Sequence, residues 1–274
     1  MVSEFRNEPL TDFNREEHAR SMRAALEKVK GELGREYPLV IGGERLESAG
    51  KFESFNPARK TEVVGRFQKA TADQARRAVV SAHETFTTSW RHTAAEERAQ
   101  LLLRAAALLR ERKHEMSAWM IYEVGKSWAE ADGDTAEAID FCEFYGREML
   151  RYAATQPLVK VPGEENELVY IPLGVGVVIP PWNFPLAIMA GMTVASVVTG
   201  NTVVLKPSSD APTIAYKFFE ILEQCGLPAG VVNLMTGSGA EVGDVVVDHA
   251  LTLRGFYRLK GNRFAHQRAR RQGA

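Results

Sequence analysis

Three apolar runs, each followed by a loop and a helical pattern, constrain this 274-residue chain more than any other feature. Residues 174–179, 201–205 and 230–234 are near-continuous runs of Val, Ile and Leu, as in strands buried on both faces of a parallel sheet. Helical patterns follow from Leu186, from 213 to 225 and from 240 to 247. Strands alternating with helices at this spacing predict an α/β fold with a doubly wound parallel sheet. Crossovers in such a sheet are right-handed, and ligands bind beyond the carboxyl ends of the strands.

The residues before that region are more mixed. Residues 14–34 read as a charged amphipathic helix stopped by Gly34. Residues 38–67 change period: Pro38-Leu-Val-Ile, Arg45-Leu-Glu and Lys51-Phe-Glu-Ser-Phe predict short strands with Gly42-Gly43 and Ser48-Ala-Gly turns between them, and Asn56-Pro57 marks a loop. Thr71-Ala-Asp-Gln and Thr93-Ala-Ala-Glu both match a capping box, so a helix is expected after each. A long helix is expected over 129–152, with Phe141, Cys142 and Tyr145 on one stripe. Residues 158–161 and 167–171 flank a Pro162-Gly163 turn and predict a β-hairpin with one apolar face.

Composition narrows the class. Apolar residues make up 45% and charged residues 25%, an ordinary globular balance with no collagenous or low-complexity character. Two cysteines, Cys142 and Cys225, provide neither a disulfide framework nor a zinc site, so a reduced, cytoplasmic setting and no metal are expected. No run is long enough for a membrane span, and the start is not a secretory signal. The 34 basic and 35 acidic residues are unevenly spread. Seven Arg or Lys and no acid follow Asp248, which leaves 27 basic against 35 acidic residues, a net −8, over 1–248.

The loops after the three strands carry the chemistry. In Pro180-Pro-Trp-Asn-Phe-Pro, prolines on both sides fix the backbone around Asn183, which becomes a rigid amide donor among aromatics. Such a donor suits an oxyanion, and a turn Asn is the plain alternative. In Lys206-Pro-Ser-Ser-Asp, a lysine with hydroxyl neighbours Ser208 and Ser209 suits a nucleotide ribose or phosphate, and a solvated lysine is the alternative. In Gly237-Ser-Gly-Ala-Glu-Val-Gly243, glycines before a helix let a pyrophosphate approach the backbone, although the spacing is not the Rossmann fingerprint.

In this order the three loops resemble the aldehyde dehydrogenase superfamily. Pro181-Trp-Asn-Phe-Pro, Gly200-Asn-Thr-Val-Val-Leu-Lys-Pro-Ser and Gly226-Leu-Pro-Ala-Gly-Val-Val-Asn carry the resemblance. It spans nearly all of residues 1–248. Phe5-Arg-Asn-Glu-Pro, Tyr37-Pro-Leu-Val-Ile-Gly-Gly, Glu123-Val-Gly-Lys-Ser, Asp134-Thr-Ala-Glu-Ala-Ile-Asp-Phe and Pro162-Gly-Glu-Glu-Asn are similar to one branch, the L-glutamate γ-semialdehyde dehydrogenases of proline degradation. The resemblance implies an NAD cofactor and an aldehyde substrate, with no nucleic acid or membrane partner. It makes Asn183 the side-chain half of the oxyanion hole. Lys206 then contacts the adenosine ribose, with Pro181, Trp182, Ser208 and Ser209 beside the cofactor, and Gly237 and Gly243 shape the dinucleotide loop. Many members carry Glu where Ser209 stands, so discrimination against a 2′-phosphate is open here.

The implied domains are an amino-terminal helical arm (1–35), a discontinuous NAD-binding domain (36–155 and 172–248), a hairpin similar to the family's oligomerisation flap (156–171) and an aberrant basic tail (249–274). The family's reaction needs a Cys nucleophile and a Glu general base. Both are expected beyond this chain's end, and Cys142 and Cys225 read as structural thiols. The catalytic domain is therefore expected to be missing and the chain to be inactive alone. Back-translating residues 255–274 and shifting forward one base gives Phe-Thr-Gly-Ser-Lys-Glu-x-Gly-Leu-Arg-Ile-Asn-Glu-Arg-Ala-Ala-Lys, which looks like the family's continuation. A frame change between about His249 and Phe256 is the expectation. A basic nucleic-acid tail is the competing reading of the same residues. Another aldehyde dehydrogenase branch, a related acyl-phosphate reductase and a non-catalytic nucleotide-binding fragment are the alternatives for function.

Overall fold

The computed structural model describes residues 3–253 and the backbone of 259–260 and 263–264. Most of the basic tail therefore lies outside the described residues. Residues 3–13 run along the outside of the helical layer. Asp140 accepts the Glu8 N–H at 2.6 Å, and Asp132 accepts the Thr11 N–H at 2.7 Å and its hydroxyl at 2.6 Å. Helix α1 (Glu16–Lys30) follows, with Glu16 and Glu17 in its first turn and Lys28 and Lys30 in its last, both matched to the helix dipole. Met22 and Val29 face inward and are fully buried. Gly34, at φ +77°, turns the chain into the sheets.

Five short strands come next: β1 (Arg35–Tyr37), β2 (Leu39–Ile41), β3 (Glu44–Leu46), β4 (Gly50–Asn56) and β5 (Arg59–Lys69). No strand is expected after Asn56-Pro57, yet β5 is the longest strand described. Its apolar residues are interrupted by Gly65 and by exposed charges, so neither a buried run nor a clean alternation shows. Four helices follow: α2 (Ala72–Thr88), α3 (Ala95–Glu111), α4 (Lys113–Val124) and α5 (Trp128–Ala153).

The two matching capping motifs behave differently. Before α2 the box forms, with the Gln74 N–H bonded to Thr71 Oγ1 at 3.2 Å and the Thr71 N–H to Gln74 Oε1 at 2.9 Å. Before α3 it does not. Ala94 is the N-cap residue there, with no side-chain cap, and the Thr93 carbonyl is held by the Arg98 guanidinium instead. Arg98 also donates to the Val198 carbonyl at 2.8 Å, and α3 starts one residue later than the motif predicts.

The expected hairpin over 156–171 is corrected as well. The turn exists, with Gly163 at φ +84° and the Glu164 N–H bonded to the Val161 carbonyl at 3.1 Å. No strand ladder forms on either side of it. A two-stranded hairpin without a third strand or a packing face is marginal. Here Val159, Val169 and Ile171 are exposed, while Tyr170 rests edge-on against Tyr152 of α5 with ring centroids 4.7 Å apart.

The strand–helix alternation is present as β6 (Val175–Val178), α6 (Ala187–Val198), β7 (Thr202–Leu205), α7 (Pro212–Gln224) and β8 (Val232–Leu234), while the helix expected from residue 240 begins as a π-helical turn (Gly239–Gly243) and is α-helical only over a short α8 (Asp244–Val247). The order across the five-stranded sheet is β3-β2-β8-β7-β6, with β6, β7 and β8 parallel and β2 antiparallel to β8. A separate three-stranded sheet has the order β1-β5-β4. Along β7, Val203 and Leu205 join the core that includes residues of α6 and α7, and Val204 joins the core that includes residues of α2. Side chains that alternate between two covered faces make every β7 residue buried, as a doubly wound sheet requires. Thr252 bridges Val175 in parallel beside β6, and the Leu253 N–H bonds to the Val175 carbonyl at 2.9 Å. No helix among the described residues is long and apolar enough to cross a membrane.

Candidate functional site

The loops after β6, β7 and β8 emerge at one end of the parallel sheet. The β7 loop opens with the Lys206 N–H bonded to the Val178 carbonyl at 2.9 Å, which extends the ladder by one residue. The lysine side chain is 4% exposed. Its Nζ donates to the Pro207 carbonyl at 3.1 Å, and among the described residues no carboxylate pairs with it. Burial pushes the ammonium below the ordinary lysine value. A buried cation with one neutral partner is costly unless another polar group completes its shell.

Ser209 Oγ donates to the Gly237 carbonyl at 3.4 Å, which brings the second and third loops together. Ser208 turns back on its own loop, its Oγ accepting the Asp210 N–H at 3.2 Å. The third loop is stitched to the end of β5. The Ala70 N–H bonds to the Thr236 carbonyl at 2.9 Å, and Thr236 Oγ1 to the Gln68 carbonyl at 2.7 Å. Gly237 has φ +147°, and a Cβ there would lie 3.2 Å from Ala70 N, so only glycine fits without strain. Gly243 differs: its backbone is right-handed helical, and a Cβ there would meet nothing within 4 Å.

Pro181, Trp182, Asn183 and Phe184 form the first loop, with Trp182 55% exposed. Asn183 lines a cleft of about 500 Å³ with Lys126, Glu130, Asp134, Trp182 and Phe184. Among the described residues no hydrogen bond joins this loop to Lys206. The floor of the cleft holds an ion pair, Lys126 Nζ to Asp134 Oδ2 at 2.7 Å. Lys126 Nζ also sits 4.5 Å from the centre of the Phe184 ring. Asp134 is raised above the ordinary carboxylate value by burial, against the opposing pull of Lys126 and of backbone N–H donors. In the sequence, Lys126 and Asp134 stand out only as members of the branch motifs. Their signal was a Gly-Lys turn between two helices, but nothing local shows what the charges face.

Cys142 and Cys225 lie away from these loops and are both buried. Burial raises both thiols, with Arg104 opposing the rise at Cys225. Desolvated thiols without an activating base are poor nucleophiles.

The aldehyde dehydrogenase family model matches residues 45–252, and the chain belongs to that family. It is 61% identical to the 1-pyrroline-5-carboxylate dehydrogenase of Geobacillus kaustophilus (strain HTA426) over 252 residues, 92% of this chain and 49% of that protein. A point mutant of Thermus thermophilus 1-pyrroline-5-carboxylate dehydrogenase superposes with a TM-score of 0.88 at 50% identity, covering 92% of this chain and 49% of that one. A Thermus 1-pyrroline-5-carboxylate dehydrogenase with bound NAD gives 0.86 at 50% identity, covering 90% of this chain and 48% of that one. The chain thus spans about half the length of the curated relatives it matches.

Proposed function

We propose that this chain is the amino-terminal, cofactor-binding part of an NAD-dependent dehydrogenase that oxidises L-glutamate γ-semialdehyde to glutamate in proline degradation. The observation that carries the reading is Lys206, a buried ammonium with a single carbonyl partner at the carboxyl end of a parallel strand. That residue fits the hydroxyl-rich ribose of a dinucleotide, which would complete its hydrogen bonds. Ser208 and Ser209 are placed to share the ribose, and Gly237 and Gly243 to shape the pyrophosphate loop. Pro181 and Trp182 flank the nicotinamide side, and Asn183 donates to the oxyanion that develops on the aldehyde oxygen. Bound NAD supplies the hydride acceptor. Ser209 carries no charge to repel a 2′-phosphate, so NADP is not rejected electrostatically at this position.

The Cys nucleophile and Glu base belong to sequence beyond a frame change between about residues 249 and 256. We assign residues 1–35 to an amino-terminal arm, 36–155 and 172–248 to the NAD-binding domain, and 249–274 to the displaced frame. The exposed apolar residues of 156–171 are the contact for a homo-oligomer of the intact enzyme, which works in the cytoplasm. Restoring one base and assaying the full-length product tests the reading. NADH formation is expected to be at least tenfold faster with L-glutamate γ-semialdehyde than with aldehydes lacking the α-carboxylate. Preference for an uncharged aldehyde would move the enzyme to another branch of the family.

A further inference from the structure

The two helices that follow the first two site loops have no caps of their own. The N-cap residue of α6 is Leu186 and that of α7 is Ala211, and neither provides a side-chain hydrogen bond. Helix N-termini leave backbone donors unsatisfied, so a buried end needs partners from elsewhere. Both ends receive a buried carboxylate from a distant helix. At α7, Glu123 Oε1 accepts the Thr213 N–H at 2.7 Å, and Oε2 accepts the Ile214 N–H at 2.9 Å. At α6, Asp134 Oδ1 accepts the Ala187 N–H at 2.6 Å, while its Oδ2 is paired to Lys126.

Glu123 and Lys126 belong to one turn, and that turn is built to stay in place. Gly125 ends α4 at φ +70°, with its Cβ position 3.1 Å from Pro57. Ser127 opens α5 with a complete capping box to Glu130. A short stretch between two capped helix ends therefore reaches both site loops. Glu123 is 3% exposed and takes a third hydrogen bond from Ser54 Oγ at 3.2 Å. Its carboxylate thus anchors α7 to β4 as well.

We propose that Glu123, and Lys126 acting through Asp134, are positioning residues that hold the Lys206–Ala211 loop and the Pro180–Pro185 loop in fixed relation from a single turn. The inference rests on reading those loops as the cofactor and oxyanion loops. It makes Glu123 specific to the first and Asp134 to the second. Charge-assisted hydrogen bonds to backbone donors are strong and directional, so losing one acceptor frees one loop before it unfolds the sheet.

Hydrogen exchange over 180–190 and 206–216, with calorimetric titration of ADP and NAD, tests this on the 274-residue chain. Glu123→Gln is expected to speed exchange in 206–216 and to weaken ADP about tenfold, because one oxygen becomes an NH2 facing the Ile214 N–H. Asp134→Asn is expected to speed exchange in 180–190 and to weaken NAD more than ADP. Ser54→Ala removes only the third bond to Glu123 and serves as the mild variant, with a smaller change confined to 206–216. Equal loosening of both loops in every variant would show a general structural role and overturn the proposal. So would unchanged exchange in 206–216 for Glu123→Gln and Ser54→Ala. If the unmodified chain binds neither ADP nor NAD, the cofactor reading fails, and the exchange pattern alone decides the positioning roles.

Discussion

Lys206 carries a conflict between stability and function. Its ammonium is buried with one carbonyl partner, so it opposes folding unless something polar binds beside it. Lys206→Met is expected to raise stability by about 1 kcal/mol while weakening NAD about tenfold. Chemical denaturation and calorimetry of the same preparation check both. Burial lowers the folded-state value below the unfolded one. Between those two values the unfolded chain binds more protons, so the wild type gains stability as pH rises through that window. The advantage of the methionine variant therefore narrows toward alkaline pH. Loss of stability without loss of NAD affinity would make Lys206 an ordinary core residue. Lys206, Ser209 and Asn183 stand out in the sequence as candidates because each lies in a loop that follows an apolar strand. Glu123 and Asp134 do not, because a carboxylate on a helix reads as a solvated face. Their partners, the N–H groups of Thr213 and Ala187, lie 90 and 53 residues away.

Between elements, matching words in the sequence led to different structures. Thr71 and Thr93 each precede an acid or amide by three residues, yet only Thr71 caps its helix. Thr71→Ala is expected to cost about 1 kcal/mol and Thr93→Ala less than about 0.3 kcal/mol, as measured by urea denaturation. The Arg98 guanidinium donates to the Thr93 backbone carbonyl, a contact that survives the second substitution. Equal costs would place the functional cap at both sites. The parallel strands were readable because burial on two faces demands an unbroken apolar run. Strand β5 escaped notice because much of it is exposed and it pairs β1 on one side and β4 on the other. The 156–171 segment shows the reverse error, since its alternation was strand-like but no third strand supports it.

As a whole molecule, the described residues place three parallel strands at the centre of the five-stranded sheet, with β6 at its edge. An isolated parallel bridge joins Thr252 to Val175 of β6, and the family match ends at residue 252. On the proposed reading, the cofactor loops precede that point and the residues that attack the aldehyde lie beyond it. Binding and chemistry should therefore separate in this chain. The direct measurement is to titrate the 274-residue protein with NAD by calorimetry, then add L-glutamate γ-semialdehyde and follow absorbance of NADH. Saturable binding of one NAD per chain with no NADH formed is the predicted result. Sustained NADH formation, or no binding of NAD by a protein that melts cooperatively, would contradict the account.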